Sequence, residues 1–257
     1  GAACDNWNIY NPAPTALPSA SPTLRPTATM QAMAPLETFL SIEDGDGAEE
    51  LQNGAVFGTL NGGFSRVAMF DGNDDYYQLP TITSVGGASS FAVWVHADTP
   101  AILEEKANYI MLLGDADADA ESGNDVTVSA SSPKQNNGIF LAGTEAGKGQ
   151  FSITTDQKSR TLNVDNFFAA TECTTHGSLC HVVATAADDG TLVLYRDGEA
   201  QEGTVLSDGG TGVPKTGASY TNAYLGAAFP GSLRELRVYG YVLSPLHVRA
   251  LAVVDGS

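Results

Sequence analysis

Basic residues are scarce in this sequence, and long apolar runs are absent from it. Only 12 lysines and arginines oppose 30 aspartates and glutamates, which gives the 257-residue chain a formal net charge of −18. Such an acidic surface repels nucleic-acid phosphates, so we expect no nucleic-acid partner. No apolar stretch reaches the roughly 18 residues that span a bilayer, so we also expect no membrane insertion. The acidic excess favours solubility, or attraction for Ca²⁺ or a basic partner.

Cysteine is also scarce, with only three in the chain. Cys173 and Cys180 are close enough in sequence to close a short loop, and we predict a disulfide between them. That bond requires an oxidising compartment, so we expect a secreted, extracellular or cell-surface protein. Two reduced, partly buried thiols are the alternative. If the disulfide forms, Cys4 is left over, which in a secreted chain indicates an intermolecular bond or a reactive thiol.

The motifs of several catalytic classes are missing. The sequence contains no G-x-S-x-G nucleophile elbow, no phosphate-binding loop and no dinucleotide-binding fingerprint. Retaining glycoside hydrolysis needs two carboxyl groups about 5 Å apart, and no predicted strand carries such a pair. No two of the four histidines are three or four residues apart, and the spacing of the cysteines does not suit zinc. The sequence therefore predicts a protein that is not an enzyme.

Proline is concentrated at the start of the sequence, where residues 1–36 contain six of the 12 prolines, most of them followed by Thr, Ser or Ala. Repeated Pro-Thr and Pro-Ser pairs favour polyproline II and cannot build a core. Such stretches often carry O-linked glycans. We therefore predict an extended arm over residues 1–36 and one domain over residues 37–257.

Residues 37–257 consist of short β-rich runs separated by Gly, Asp and Asn. Many short strands with such turns are typical of a sandwich or a barrel. One helix is expected near the C terminus, where Ser244 can cap the chain and Pro245 suits the first helical position. The predicted strands cover residues 38–42, 55–60, 64–70, 76–79, 91–97, 109–113, 126–130, 139–141, 151–154, 161–164, 181–186, 191–195, 223–225 and 233–242.

The clearest local pattern is a hairpin between His181 and Gly198, with the sequence HVVATAADDGTLVLYRDG. Two β-rich runs of similar length are joined there by an Asp-Gly turn, in which Gly190 supplies the positive φ. The hairpin resembles the segment W-H-H-V-A-V-T … D-G … L-x-L-Y-x-D-G of laminin-G-like domains in the concanavalin A-like superfamily. Leu179 stands where that family usually has Trp.

Three further segments resemble the same family, in the same order along the chain. They are MFDGNDDY at 69–76, SFAVWV at 90–95 and FPGSLRELRVY at 229–239. The resemblance implies an all-β fold, a concanavalin A-like jelly-roll sandwich of two antiparallel sheets, here with a Pro-rich N-terminal arm and a short C-terminal helix. Arg234 stands where the family commonly has Asp, so a calcium site at that position is not carried over.

The densest group of side-chain oxygens is the acidic segment at residues 115–125, DADADAESGND. Ca²⁺ takes six to eight oxygen ligands, and this segment follows an apolar run. In laminin-G-like domains, an Asp after the comparable strand holds a rim calcium, and Asp125 matches by position. We predict Ca²⁺ ligands at Asp115, Asp117, Asp119 and Asp125; the alternative is a solvated acidic loop. The spacing does not match an EF-hand.

Two other features have structural interpretations. The turn Asp71-Gly72-Asn73-Asp74-Asp75 has ordinary turn chemistry, so we expect its acidic residues to shape the turn. Trp94 alternates with Phe91 and Val93 along its strand, and the family pattern indicates packing rather than sugar stacking.

The resemblance implies a non-catalytic extracellular adhesion or recognition module that binds glycans or glycoproteins. A structural subunit of an extracellular filament, cell wall or surface coat is the alternative. In that case the arm and Cys4 would connect copies of the chain or neighbouring subunits. A glycan-cleaving enzyme is the third hypothesis, disfavoured by the missing carboxylate pair.

Overall fold

The computed structural model describes residues 38–40, 51–60, 66–83, 85–98, 108–115, 136–144, 147–168, 173 and 178–254. The predicted arm, Cys4 and the proposed calcium ligands Asp117, Asp119 and Asp125 lie outside these residues, as does the predicted strand 126–130. Within the described ranges, no helix is both long and apolar enough to cross a membrane.

The described residues form two antiparallel eight-stranded sheets. Sheet A has the order β13-β12-β11-β6-β16-β4-β3, with β1 also paired to β16. Sheet B has the order β14-β10-β9-β8-β7-β15-β5-β2. The elements are β1 Thr38–Leu40, β2 Leu51–Gln52, β3 Val56–Thr59, β4 Arg66–Asp71, β5 Tyr76–Gln78, β6 Ser89–Ala97, β7 Asn108–Asp115, β8 Asn137–Thr144, β9 Lys148–Thr155, β10 Lys158–Val164, β11 Cys180–Ala186, β12 Leu192–Arg196, β13 Glu199–Gln201, β14 Thr204–Ser207, β15 Tyr220–Leu225, β16 Pro230–Tyr239 and α1 Pro245–Val254.

The main core lies between the two sheets and follows from alternation along the strands. In β6, Phe91 and Val93 belong to the core cluster, whereas the intervening Ala92 belongs to a separate cluster on the other face. Successive side chains of a strand point to opposite faces, so this is the expected period of two. Phe91 meets Phe151 of sheet B with 6.2 Å between ring centroids. The all-β sandwich of two antiparallel sheets is therefore confirmed.

The predicted hairpin is confirmed as β11 and β12, which pair from Val182↔Arg196 to Ala186↔Leu192. Its turn closes with a hydrogen bond from the Gly190 amide to the Ala187 carbonyl at 2.9 Å. Gly190 has a φ of 82°, the left-handed conformation that glycine adopts without a Cβ penalty.

The C-terminal helix α1 covers part of the outer face of sheet A. Val248 and Leu251 pack there against Tyr195 and Tyr239. The helix begins as predicted, because the Ser244 hydroxyl accepts a hydrogen bond from the His247 amide at 3.3 Å. The preceding strand ends at Tyr239, earlier than the predicted residue 242.

Tyr109 lies on the outer face of sheet B, edge-on to Phe140, and burial raises its pKa to about 12. Its pKa in an unfolded chain is about 10, so the folded state holds the phenolic proton more tightly. The resulting stability is complete below pH 10 and is lost as pH rises toward 12. We expect the free energy of unfolding to fall by about 2–3 kcal/mol across that window. Chemical denaturation of the wild type and of Tyr109→Phe checks this, because the variant should show a smaller fall; equal falls would contradict it.

Candidate functional site

An open polar pocket of about 280 Å³ lies at one rim of sheet B. Its lining residues come from three separate segments of the chain. They are Asn136 and Asn137 at the start of β8, Asp156 and Gln157 between β9 and β10, and Lys215 in the segment before β15.

The β9–β10 turn supplies two of these residues in an unusual backbone conformation. Asp156 and Gln157 have φ values of 50° and 64°. Two consecutive left-handed residues give a two-residue turn whose twist matches that of the flanking strands. The Gln157 side-chain amide donates to the Asn136 side-chain oxygen at 2.7 Å, which connects the turn to the start of β8.

Asn137 lines the pocket and is hydrogen-bonded to Asp115 at the end of β7. Asn137 is 6% exposed, and its side-chain amide donates to Asp115 Oδ2 at 2.7 Å. Its side-chain oxygen accepts from the Asp156 amide at 3.2 Å. Asp115 Oδ1 is buried and has no hydrogen-bond partner. The carboxylate bonded to Asn137 thus has one oxygen with unused acceptor capacity.

The charges at the pocket nearly cancel. Lys215 Nζ contacts Asp156 Oδ1 at 2.5 Å, so the positive side chain is already paired. The remaining lining groups are the carboxamides of Asn136, Asn137 and Gln157, a group type that combines donors with an acceptor. A sugar hydroxyl needs both kinds of partner, whereas an anionic ligand needs unpaired cations. The pocket therefore suits a neutral hydroxyl-rich ligand.

A second polar cluster lies at the opposite rim, where β4 ends and β5 begins. One carboxylate oxygen from each of Asp71, Asp74 and Asp75 lies within 4.8 Å of the others, so this acidic cluster could hold a metal ion. Strand β15 runs from one rim to the other. Its first residue, Tyr220, pairs with Asp115 near the pocket, and its last residue, Leu225, pairs with Met111 and with Tyr77 near the acidic cluster.

Asp75 is 3% exposed, whereas Asp71 and Asp74 are exposed. Burial is the main cause that raises the Asp75 pKa above its ordinary value, and the neighbouring carboxylates add to it. A hydrogen bond from the Asp71 amide to Asp75 Oδ2, at 2.9 Å, acts in the opposite direction. The sequence interpretation placed no carboxylates this close together. The limit of 4.8 Å falls within the ~5 Å carboxyl separation of retaining glycosidases, but the burial of Asp75 leaves it poorly placed to meet a sugar.

The disulfide between Cys173 and Cys180 is present, and both residues are fully buried in the main core. The bond holds Cys180, the first residue of β11, in place.

Trp94 is 6% exposed and contacts His181, with 4.8 Å between ring centroids. The packing role predicted for Trp94 is consistent with that burial.

Of the predicted calcium ligands, the structure describes only Asp115, which does not line the pocket but accepts a hydrogen bond from its lining residue Asn137. The pocket residues were not found from sequence. Two sequence features could have indicated them, the Asn-Asn pair at 136–137 and the Asp-Gln pair at 156–157. Each pair is also typical of an ordinary turn, so neither distinguishes a binding site.

Similar folds occur among solved structures. The receptor binding domain of botulinum neurotoxin D has 13% identity and a TM-score of 0.53, over 79% of this chain and 46% of that one. The binding domain of Paraclostridial Mosquitocidal Protein 1 has 12% identity and a TM-score of 0.50, over 79% of this chain and 46% of that one. This chain thus spans less than half of either toxin domain. Such low identities show a shared fold alone.

A third similar structure is domain 4 of AbnA, a GH43 extracellular arabinanase from Geobacillus stearothermophilus, in complex with arabinotriose. It has 16% identity and a TM-score of 0.48, over 84% of this chain and 87% of that one. A search of curated proteins finds no match.

One family describes most of the chain. The Concanavalin A-like lectin/glucanases superfamily, in its laminin-G form, matches residues 71–249. That span contains the β11–β12 hairpin, the disulfide and all five lining residues of the pocket. The chain belongs to the Concanavalin A-like lectin/glucanases superfamily.

Proposed function

We propose that this protein is a non-catalytic extracellular recognition module that binds a neutral glycan, free or on a glycoprotein, in the pocket formed by Asn136, Asn137, Asp156, Gln157 and Lys215. The observation that carries the proposal is the chemistry of this lining, in which carboxamides from two segments converge beside an already paired lysine. Carboxamides satisfy the paired donor and acceptor of a sugar hydroxyl. Membership of a lectin and glucanase superfamily supports the same ligand class.

The pocket is also held in place before a ligand arrives. Asn137 is almost fully buried and makes hydrogen bonds to both Asp115 and Asp156. A pocket lining that is fixed in this way loses little conformational entropy when a ligand binds. Extracellular placement is part of the proposal and is supported by the buried disulfide, because such bonds persist in oxidising compartments.

Calcium at the acidic segment belongs to this proposal. β8 begins with Asn137, which lines the pocket, and β7 ends with Asp115, which is bonded to Asn137. The segment that carries Asp117, Asp119 and Asp125 connects these two residues. The unpartnered Asp115 Oδ1 fits a hard cation that takes oxygen ligands. We propose that Ca²⁺ held by these four carboxylates supports glycan binding.

Replacing Gln157 with Gly tests the pocket. The change removes one lining carboxamide, and glycine readily adopts the φ of 64° at this position. We expect glycan affinity to fall about tenfold, the effect of losing one or two hydrogen bonds. Isothermal titration with the best-bound oligosaccharide measures it.

Asn166→Gly is the matched control. Asn166 is also exposed and has a φ of 56°, but it follows β10 at the end away from the pocket. The glycan affinity of Asn166→Gly should equal that of the wild type. Equal affinity in Gln157→Gly would contradict a role for this pocket, and undiminished binding in EDTA would contradict the calcium part of the proposal.

A further inference from the structure

The Asp71–Asp75 turn contains more carboxylate than a turn requires. Asp71 Oδ1 accepts from the Asn73 amide at 2.8 Å, and Asp71 Oδ2 accepts from the Asn73 side chain at 2.9 Å. These bonds explain Asp71 and Asn73 as turn residues. They leave the carboxylate of Asp74 and half of the carboxylate of Asp75 without a structural role.

The unexplained oxygen of Asp75 is deeply buried. Asp75 is 3% exposed, and its Oδ1 is buried without any hydrogen-bond partner. Burying a carboxylate oxygen that has no partner is costly, and proteins normally compensate it with a hydrogen bond or a cation. Among the described residues, no lysine, arginine or histidine forms an ion pair with Asp71, Asp74 or Asp75.

The neighbouring β2–β3 turn lies directly against this oxygen. A Cβ built at Gly54 would be 3.1 Å from Asp75 Oδ1, and Gly54 has a φ of 115°. The Asn53 side chain donates to the Asp74 carbonyl at 3.0 Å, which joins the two turns. The three carboxylates are therefore held together by two strand connections, β2–β3 and β4–β5.

We infer that Asp71, Asp74 and Asp75 form a divalent-cation site of their own, separate from the pocket rim. Ca²⁺ lies 2.3–2.6 Å from its oxygen ligands, so two ligands on opposite sides of one ion are about 5 Å apart. The observed limit of 4.8 Å lies within that span. The ligand atoms are all oxygens, which favours Ca²⁺ over zinc. The cation would neutralise three mutually repelling carboxylates and tie the two turns together.

Calcium titration of the EDTA-treated, desalted full chain tests the inference, with Asp74→Asn as the main variant. Asp74 is exposed, and its bond to Asn53 uses the backbone carbonyl, so the substitution keeps the fold. Asp75→Asn is the second variant. Asp165→Asn is the matched control, since Asp165 is an exposed aspartate whose ion pair among the described residues is with Lys148, at 3.8 Å. A fourth variant, Asp117→Asn/Asp119→Asn/Asp125→Asn, removes the carboxylates of the other proposed calcium site.

We expect Asp74→Asn and Asp75→Asn each to weaken one calcium-binding event about tenfold or to abolish it, and to reduce the rise in melting temperature that calcium produces. The Asp165 variant should behave as the wild type, and the triple variant should keep this binding event. The inference is overturned if the wild type binds no calcium at millimolar concentration, if both turn variants bind as the wild type does, or if the triple variant loses all binding. Glycan affinity is measured separately, so either proposal can fail alone.

Discussion

Replacing Phe91 with Ala is expected to lower the free energy of unfolding by about 3–5 kcal/mol, the usual cost of deleting a buried phenyl ring. Phe91 is fully buried, and its ring lies against Phe151 of the opposite sheet with 6.2 Å between centroids. The two sheets share no hydrogen bonds in their strand pairings, so such side-chain contacts hold them together. Urea denaturation followed by circular dichroism measures the loss.

Two controls make this result specific. Leu206 is 59% exposed on the edge strand β14, and Leu206→Ala should change stability by less than about 0.5 kcal/mol. A double-mutant cycle with Phe151→Ala should give a coupling energy of about 0.5–1.5 kcal/mol for the ring pair. A loss below 1 kcal/mol for Phe91→Ala, or no coupling, would mean that the sheets do not pack through these rings.

Removing the disulfide is expected to have the second largest effect. Cys173 and Cys180 close a loop with a sequence separation of 7, and loss of a native disulfide typically costs about 2–5 kcal/mol. Alanine is the better replacement, because both positions are fully buried and a serine hydroxyl would need a partner there. The double variant Cys173→Ala/Cys180→Ala should therefore unfold at lower denaturant concentration than the wild type.

Reductant provides the control for the disulfide prediction. Under partly unfolding conditions, reductant should lower the free energy of unfolding of the wild type to about that of the double variant. It should leave the free energy of unfolding of the variant unchanged. If reductant destabilises both proteins equally, the effect does not come from this bond. Gels of the wild type and the double variant, run with and without reductant, report whether Cys4 links separate chains. That link remains a prediction from the sequence.

The fold could be predicted from sequence because its signals are local. The β11–β12 hairpin, the alternation of Phe91, Trp94 and their neighbours in β6, and the Ser244 cap each depend on residues adjacent in the chain. The short edge strands β2, β13 and β14 were missed. They have few residues and little buried apolar surface, so they leave a weak pattern.

The sites were harder to predict because they depend on register between distant segments. Asn137 meets Asp115 across 22 positions of sequence, and Lys215 meets Asp156 across 59. Composition identified the acidic segment at 115–125 and hence Asp115, but not its carboxamide neighbours. The Asp71–Asp75 turn was recognised as a turn; that Asp75 would be buried with an unpartnered oxygen depends on the β2–β3 turn, which local sequence does not position.

Binding of the wild-type protein to a broad glycan array in calcium, followed by chromatography of the bound glycans, tests whether it is a non-catalytic recognition module. We expect selective binding to neutral oligosaccharides, which are recovered intact after prolonged incubation. Failure to bind any glycan, with or without calcium, would contradict a recognition module. Release of shorter sugars would contradict the non-catalytic assignment and would make the carboxylates of Asp71, Asp74 and Asp75 the first candidates for the reaction.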